Sequence, residues 1–166
     1  MKRYVLAVAA VILIGGFSLY LKLGGHGDLI FLIEARQEQI IYGELFEGRP
    51  TEQRLEDLFM NARERSIETG KNLVVVNYDQ DSVPLKQFIG TLQGPEDGKS
   101  RVQLKLAAGN YVLMEIRSDN LIMPTPDDIQ SAAEKFATAN GHKIKSELSY
   151  EMYQGDSVLI VMFRCY

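Results

Sequence analysis

A six-residue phrase occurs twice in this chain, 75 positions apart, and it narrows the possible folds more than any other feature. Tyr78-Asp-Gln-Asp-Ser-Val83 is answered by Tyr153-Gln-Gly-Asp-Ser-Val158, identical at four of six places. Each copy follows a segment with helical spacing. Leu55, Leu58, Phe59 and Ala62 share one helix face, and Ile129, Ala132, Ala133 and Phe136 repeat them 74 positions on. The next pair, Arg63 and Ala137, breaks the match. Two copies of one unit are therefore predicted, over about 29–93 and 102–166.

Local signals fill in each unit. Leu29–Ile33, Gln39–Phe46, Asn72–Asp79 and Lys86–Leu92 have strand character in the first. Three consecutive valines make Asn72–Asp79 a strand buried on both faces. Thr51 is a candidate cap for the first helix and Gly70 its stop. The second unit starts at Val102, with Asn110–Ile116 as its first strand. Its helix opens with Thr125 as cap, Pro126 in the first turn and Asp128 in the capping-box position, and Gly141 ends it. Ser149–Phe163 then reads as strand, tight turn at Gln154–Gly155, and returning strand. The predicted fold class is α+β. A duplicated β-α-β-β unit forms one antiparallel sheet with two helices on one face. Residues 93–100, with Gly94, Pro95 and Gly98, are a loop between the units.

The N-terminus has a different character. Tyr4–Leu21 carries no charge, and these 18 residues would span about 27 Å as a helix, close to a bilayer's ~30 Å hydrocarbon core. The stretch exceeds the 7–15 apolar residues usual in a signal peptide, and no small-x-small cleavage site follows. Residues 1–22 are therefore expected to be a transmembrane anchor and 23–28 a flexible tether, followed by a domain over 29–166. Lys2 and Arg3 precede the span, which predicts a cytoplasmic N-terminus and a periplasmic or extracytoplasmic domain in a single-pass membrane protein.

Charge and side-chain chemistry remove several functions. Beyond residue 25 the chain has 15 basic against 22 acidic residues, with no Lys/Arg stripe, so nucleic acid is not an expected partner. His26 and His142 lack ligand-like pairing, and Asp79, Asp81 and Asp156 suit turns without calcium-loop spacing; no metal or cofactor is expected. The lone Cys165 cannot form an internal disulfide.

A helix-free sheet face needs a cover. Strand alternation puts Leu148, Tyr150 and Met152 on one side and Glu151 and Tyr153 on the other. The apolar set suits the helices, so Glu151 and Tyr153 are predicted to face the open side. The final strand is apolar on both sides, with Val158, Ile160 and Met162 against Leu159, Val161 and Phe163, which predicts contact with a bound molecule or a groove between the units. Tyr111, Leu113 and Glu115 line up on one strand, with Tyr42 and Glu44 as their first-unit counterpart. The candidate ligand-binding residues are Glu151, Tyr153, Tyr111, Leu113, Glu115, Tyr42 and Phe163. The alternative for Glu151 is a solvent-facing acid on an edge strand.

The repeated unit and the closing Tyr150-Glu151-Met152-Tyr153 resemble the GyrI-like small-molecule-binding domains, which also form the effector-binding part of multidrug-responsive regulators. The resemblance covers roughly residues 30–166. It implies that Glu151 is a pocket carboxylate, with Tyr153 beside it, that meets flat cationic ligands. A carboxylate ringed by tyrosines attracts an organic cation by charge and by ring faces, the latter worth about 0.5–2 kcal/mol each. The family often places tryptophan in its pocket, and this chain has none. Three functions follow. One is membrane-tethered capture of amphipathic or cationic small molecules between the units. The second is a GyrI-type hydrolase using Glu151 and Tyr153. The third is a protein-interaction module at the membrane surface. No activating partner for Glu151 is visible, so an enzyme is the lesser expectation.

Overall fold

The computed structural model describes residue 16 and residues 29–78, 84–92, 102–117, 124–155 and 158–166. Apart from residue 16, the expected anchor and tether, the loop at 93–100, and Asp79, Asp81 and Asp156 lie outside the described residues. Among the described residues, no helix is long and apolar enough to cross a membrane.

The first half runs β1 (Ile30–Arg36), β2 (Gln39–Gly48), α1 (Gln53–Thr69), β3 (Leu73–Tyr78) and β4 (Leu85–Leu92). The second runs β5 (Val102–Leu106), β6 (Gly109–Arg117), α2 (Pro126–Ala139), β7 (Ile144–Gln154) and β8 (Val158–Cys165). All eight strands join one antiparallel sheet in the order β1-β6-β8-β7-β3-β4-β2-β5. Exchanging β1–β4 for β5–β8 gives the same order read backwards. Each half thus has one strand more than the expected β-α-β-β, and that leading strand pairs with the other half.

The leading strands make the sheet curl. Only Gln37 and Glu38 separate β1 from β2, and only Ala107 and Ala108 separate β5 from β6. The pairing register continues across this corner: Arg36 faces Gly109 in one ladder and Gln39 faces Leu106 in the next. One bent ribbon therefore links the two ends of the strand order. Side chains satisfy the corner's carbonyls, which would otherwise lack a ladder partner. The Tyr111 hydroxyl donates to the Ala107 oxygen at 2.6 Å, and Arg164 Nη2 donates to the Ala108 oxygen at 3.1 Å.

Curling gives the sheet two different faces. The concave face packs on itself, joining Ile41 and Leu106 from one end of the strand order to Leu113 and Met162 near the other. Val74, Val76, Phe88, Tyr150 and Met152 complete that core. The convex face carries both helices. Ala62, with Leu55, Leu58 and Phe59 of α1, packs on Leu73, Val75 and Ile89; Ala133 and Ala137 of α2 pack on Val112, Met114, Val161 and Phe163. This corrects the expected sidedness. Tyr150 and Met152 face away from the helices, and Glu151 and Tyr153 face toward them. Alternation separates the two sets, but it does not say which set lies inside a curled sheet. The apolar second side of β8 is likewise explained: the opposite wall of the same sheet covers it.

Helix boundaries follow local chemistry. Thr125 caps α2, its Oγ1 accepting from the Asp128 backbone N–H, with Pro126 at the first helical position. The expected cap at Thr51 is not used. Glu52 occupies that position, and its carboxylate accepts from the Arg49 backbone N–H at 2.7 Å in the preceding turn. Gly70 ends α1 with a left-handed φ of 63°. The turn after β7 takes Gly155 through φ 64°.

Candidate functional site

Each helix covers its own side of the convex face. α1 lies over β2, β3 and β4, and α2 over β1, β6 and β7. The seam between β3 and β7, where the two halves pair, runs between them. There Val75 sits opposite Glu151 and Asn77 opposite Ser149. A hollow of about 470 Å³ opens over this seam, its walls including Leu55, Phe59, Val75, Ile89, Glu151 and Tyr153. A second hollow of about 360 Å³ lies toward the start of α2, bordered by Asn77, Tyr78, Leu85, Pro126 and Asp127. Gln87 and Glu151 border both.

Glu151 is held rather than loose. Asn77 Nδ2 donates to its Oε1 at 2.7 Å, and the Tyr153 hydroxyl donates to its Oε2 at 2.8 Å. Asn77 is buried, and its Oδ1 accepts from Gln87 Nε2 at 2.6 Å, which sets the orientation of the amide. A chain of neutral donors thus ends on one carboxylate. Burial, then the adjacent Glu151 charge and the hydrogen bond to it, push the Tyr153 phenol well above its ordinary pKa of 10.0. Tyr153 therefore keeps its proton and serves as a donor. Its ring meets Phe59 edge to face, with centroids 5.5 Å apart, and this pair separates the large hollow from a smaller one of about 200 Å³ beside Arg63 and Leu73.

The electrostatics have one sign. Glu52, Glu56 and Glu151 border the larger hollow and Asp127 the second, and no Lys, Arg or His lines either among the described residues. Neutral donors hold Glu151 in place and bring no positive charge to it. Among the described residues no three His, Cys, Asp or Glu converge as metal ligands.

The seven candidate residues do not form one site. Glu151 and Tyr153 line the hollow. Phe163 shares their face but is buried under α2. Tyr42, level with Thr91, Leu73 and Tyr153 across the strands, also shares it but lies on β2 away from the hollow. Tyr111 and Leu113 belong to the concave core, where Tyr111 meets Tyr150 edge to face at 6.0 Å. Glu115, level with Ile160 and Met152 on that same side, pairs with Arg117. Tyr42 and Glu44 are therefore on the opposite face from Tyr111, Leu113 and Glu115, not their counterpart. Glu151 is also no edge residue, since β7 has a strand on each side. Sequence reasoning missed Asn77, Gln87, Leu55, Phe59, Val75 and Ile89. Asn77 had left a trace, as the only polar residue within Leu-Val-Val-Val-Asn-Tyr.

No family model and no curated protein matches this sequence. Solved structures do match its shape. The C-terminal domain of EcmrR aligns with a TM-score of 0.56 at 14% identity, covering 83% of this chain and 98% of that one. EcmrR in its DNA complex aligns at 0.55 and 12% identity, over 99% of this chain and 70% of that one. A hydrolase from Listeria innocua gives 0.55 at 11% identity, covering 82% and 91%. SAV2435 bound to tetraphenylphosphonium gives 0.50 at 13%, covering 82% and 94%. The likeness is one of fold.

Proposed function

We propose that this chain is a small-molecule-binding domain that captures amphipathic organic cations in the hollow between α1 and α2. The observation that carries the reading is Glu151: a carboxylate fixed by two neutral donors beside Val75 and Ile89, with acids as the charged residues of the lining among the described residues. Desolvated contact with that carboxylate attracts a cation, and the ring of Tyr153 or Phe59 adds a π face. The proposal includes a membrane tether, supported by the uncharged run Tyr4–Leu21, with the domain on the extracytoplasmic side. It leaves nucleic acid out, on the acidic balance of the domain.

Tetraphenylphosphonium, the ligand of SAV2435, is the first probe. At a hundred times its Kd, a ligand that binds only the folded state adds about 2.7 kcal/mol of stability. A thermal-shift titration is expected to show that gain in the native chain and little of it in Glu151→Gln. An equal shift in both proteins would remove the carboxylate from the account.

A second reading rests on the Tyr153–Glu151 hydrogen bond, a phenol donating to a carboxylate, in a fold shared with a hydrolase. On that reading the pair would transfer protons to a reactive bound molecule. Mass spectrometry of incubated electrophilic ligands tests it: products that vanish in Tyr153→Phe establish turnover, and unchanged ligands dismiss it.

A further inference from the structure

Glu151 and Gln87 border both hollows, and this geometry says more about the ligand than its charge. We infer that the site is two-lobed and selects a ligand whose cationic centre lies between two apolar arms. The inference rests on the proposed cation-capturing role of Glu151. A pocket built for a terminal ammonium would set its carboxylate at the end of one cavity. Here Glu151 borders the larger lobe on one side and the smaller on the other. A cation at its oxygens therefore has apolar space in two directions: toward Leu55, Phe59 and Ile89 under α1, and toward Tyr78, Leu85 and Pro126 at the start of α2.

Acids border both lobes: Glu52 and Glu56 the larger, Asp127 the smaller, and Glu151 both. Among the described residues no Lys, Arg or His lines either, so neither lobe offers a partner to an anionic arm. The ligand class is a cation bearing two aryl or alkyl arms. Gln87, bordering both lobes and tied to Asn77, is the residue between the arms.

The test uses two probes of equal charge, dimethyldiphenylphosphonium with two rings and trimethylphenylphosphonium with one, titrated into the full-length chain by calorimetry. The two-ring probe is expected to bind about tenfold more tightly or better, the return on burying a second ring. Leu85→Trp, which fills the smaller lobe, is expected to remove that advantage. Independently of any variant, nuclear Overhauser contacts from the bound two-ring probe should reach the methyls of both Leu55 and Leu85. Equal affinities for the two probes, or contacts to Leu55 alone, would overturn the two-lobed site while leaving cation capture intact. Affinity that Glu151→Gln leaves unchanged would overturn the capture reading itself, and the two-lobed site with it.

Discussion

Asn77 is the residue whose contacts explain the site best. Set in a strand otherwise made of Leu, Val and Tyr, its amide takes a hydrogen bond from Gln87 on β4 and gives one to Glu151 on β7. Removing it leaves a carboxylate oxygen and a glutamine amide without their partner, in a partly buried place. Asn77→Ala is expected to cost about 1–3 kcal/mol, read as a lowered urea midpoint. The tyrosines give a second prediction. Burial raises the Tyr150 phenol to about 12, and burial also raises Tyr78 and Tyr111. A phenol with a raised folded-state pKa favours the folded chain fully below the unfolded value of 10.0 and loses that contribution as pH climbs toward 12. Stability is therefore expected to fall between pH 10 and 12, and Tyr150→Phe should flatten the fall in urea titrations across that window. An identical slope in the variant would place the effect on other groups.

Among the elements, the helices differ in how they begin. α2 has a hydroxyl cap and α1 has none, so Thr125→Ala is expected to cost about 1 kcal/mol while Thr51→Ala stays within about 0.5 kcal/mol of the parent. Thermal unfolding of both variants checks the contrast. The β2–β4 pair depends on glycine in another way. Gly43 faces Gly90, and a Cβ on Gly90 would lie 2.2 Å from the Tyr42 carbonyl oxygen. Gly90→Ala therefore has to push two backbones apart. It is expected to raise amide exchange along Tyr42–Glu44, measurable by NMR or mass spectrometry.

For the molecule as a whole, curling is the decisive property. It closes the concave face without a helix, through contacts such as Leu106 with the Leu113–Met162 side of the core. Met162, fully buried there, should cost about 2–5 kcal/mol when truncated to alanine. Because that core lies on the far side of the sheet from Glu151, Met162→Ala is expected to leave probe affinity unchanged within the folded fraction. A matching loss of affinity would mean that the two faces are coupled.

Much of this was legible in the residues. Strand and helix positions follow from alternation, from the 3.6-residue stripe of Leu55, Leu58, Phe59 and Ala62, and from the Thr125–Pro126–Asp128 start signal. Glu151 and Tyr153 were identified as neighbours on one face. Their direction was misread because a short strand carries the same pattern whichever side the helices take. Tyr111, Leu113, Tyr42 and Phe163 were assigned to the site because aromatic and apolar strand residues look alike in a core and in a pocket. Composition and periodicity, local properties of the chain, were enough for the elements other than β5 and for one antiparallel sheet with two helices. The corner at 37–38 and 107–108 joins residues some seventy positions apart, and no local pattern encodes the sense in which such a ribbon bends. That bend chose which face became core and which, left between two helices, holds the carboxylate over a hollow.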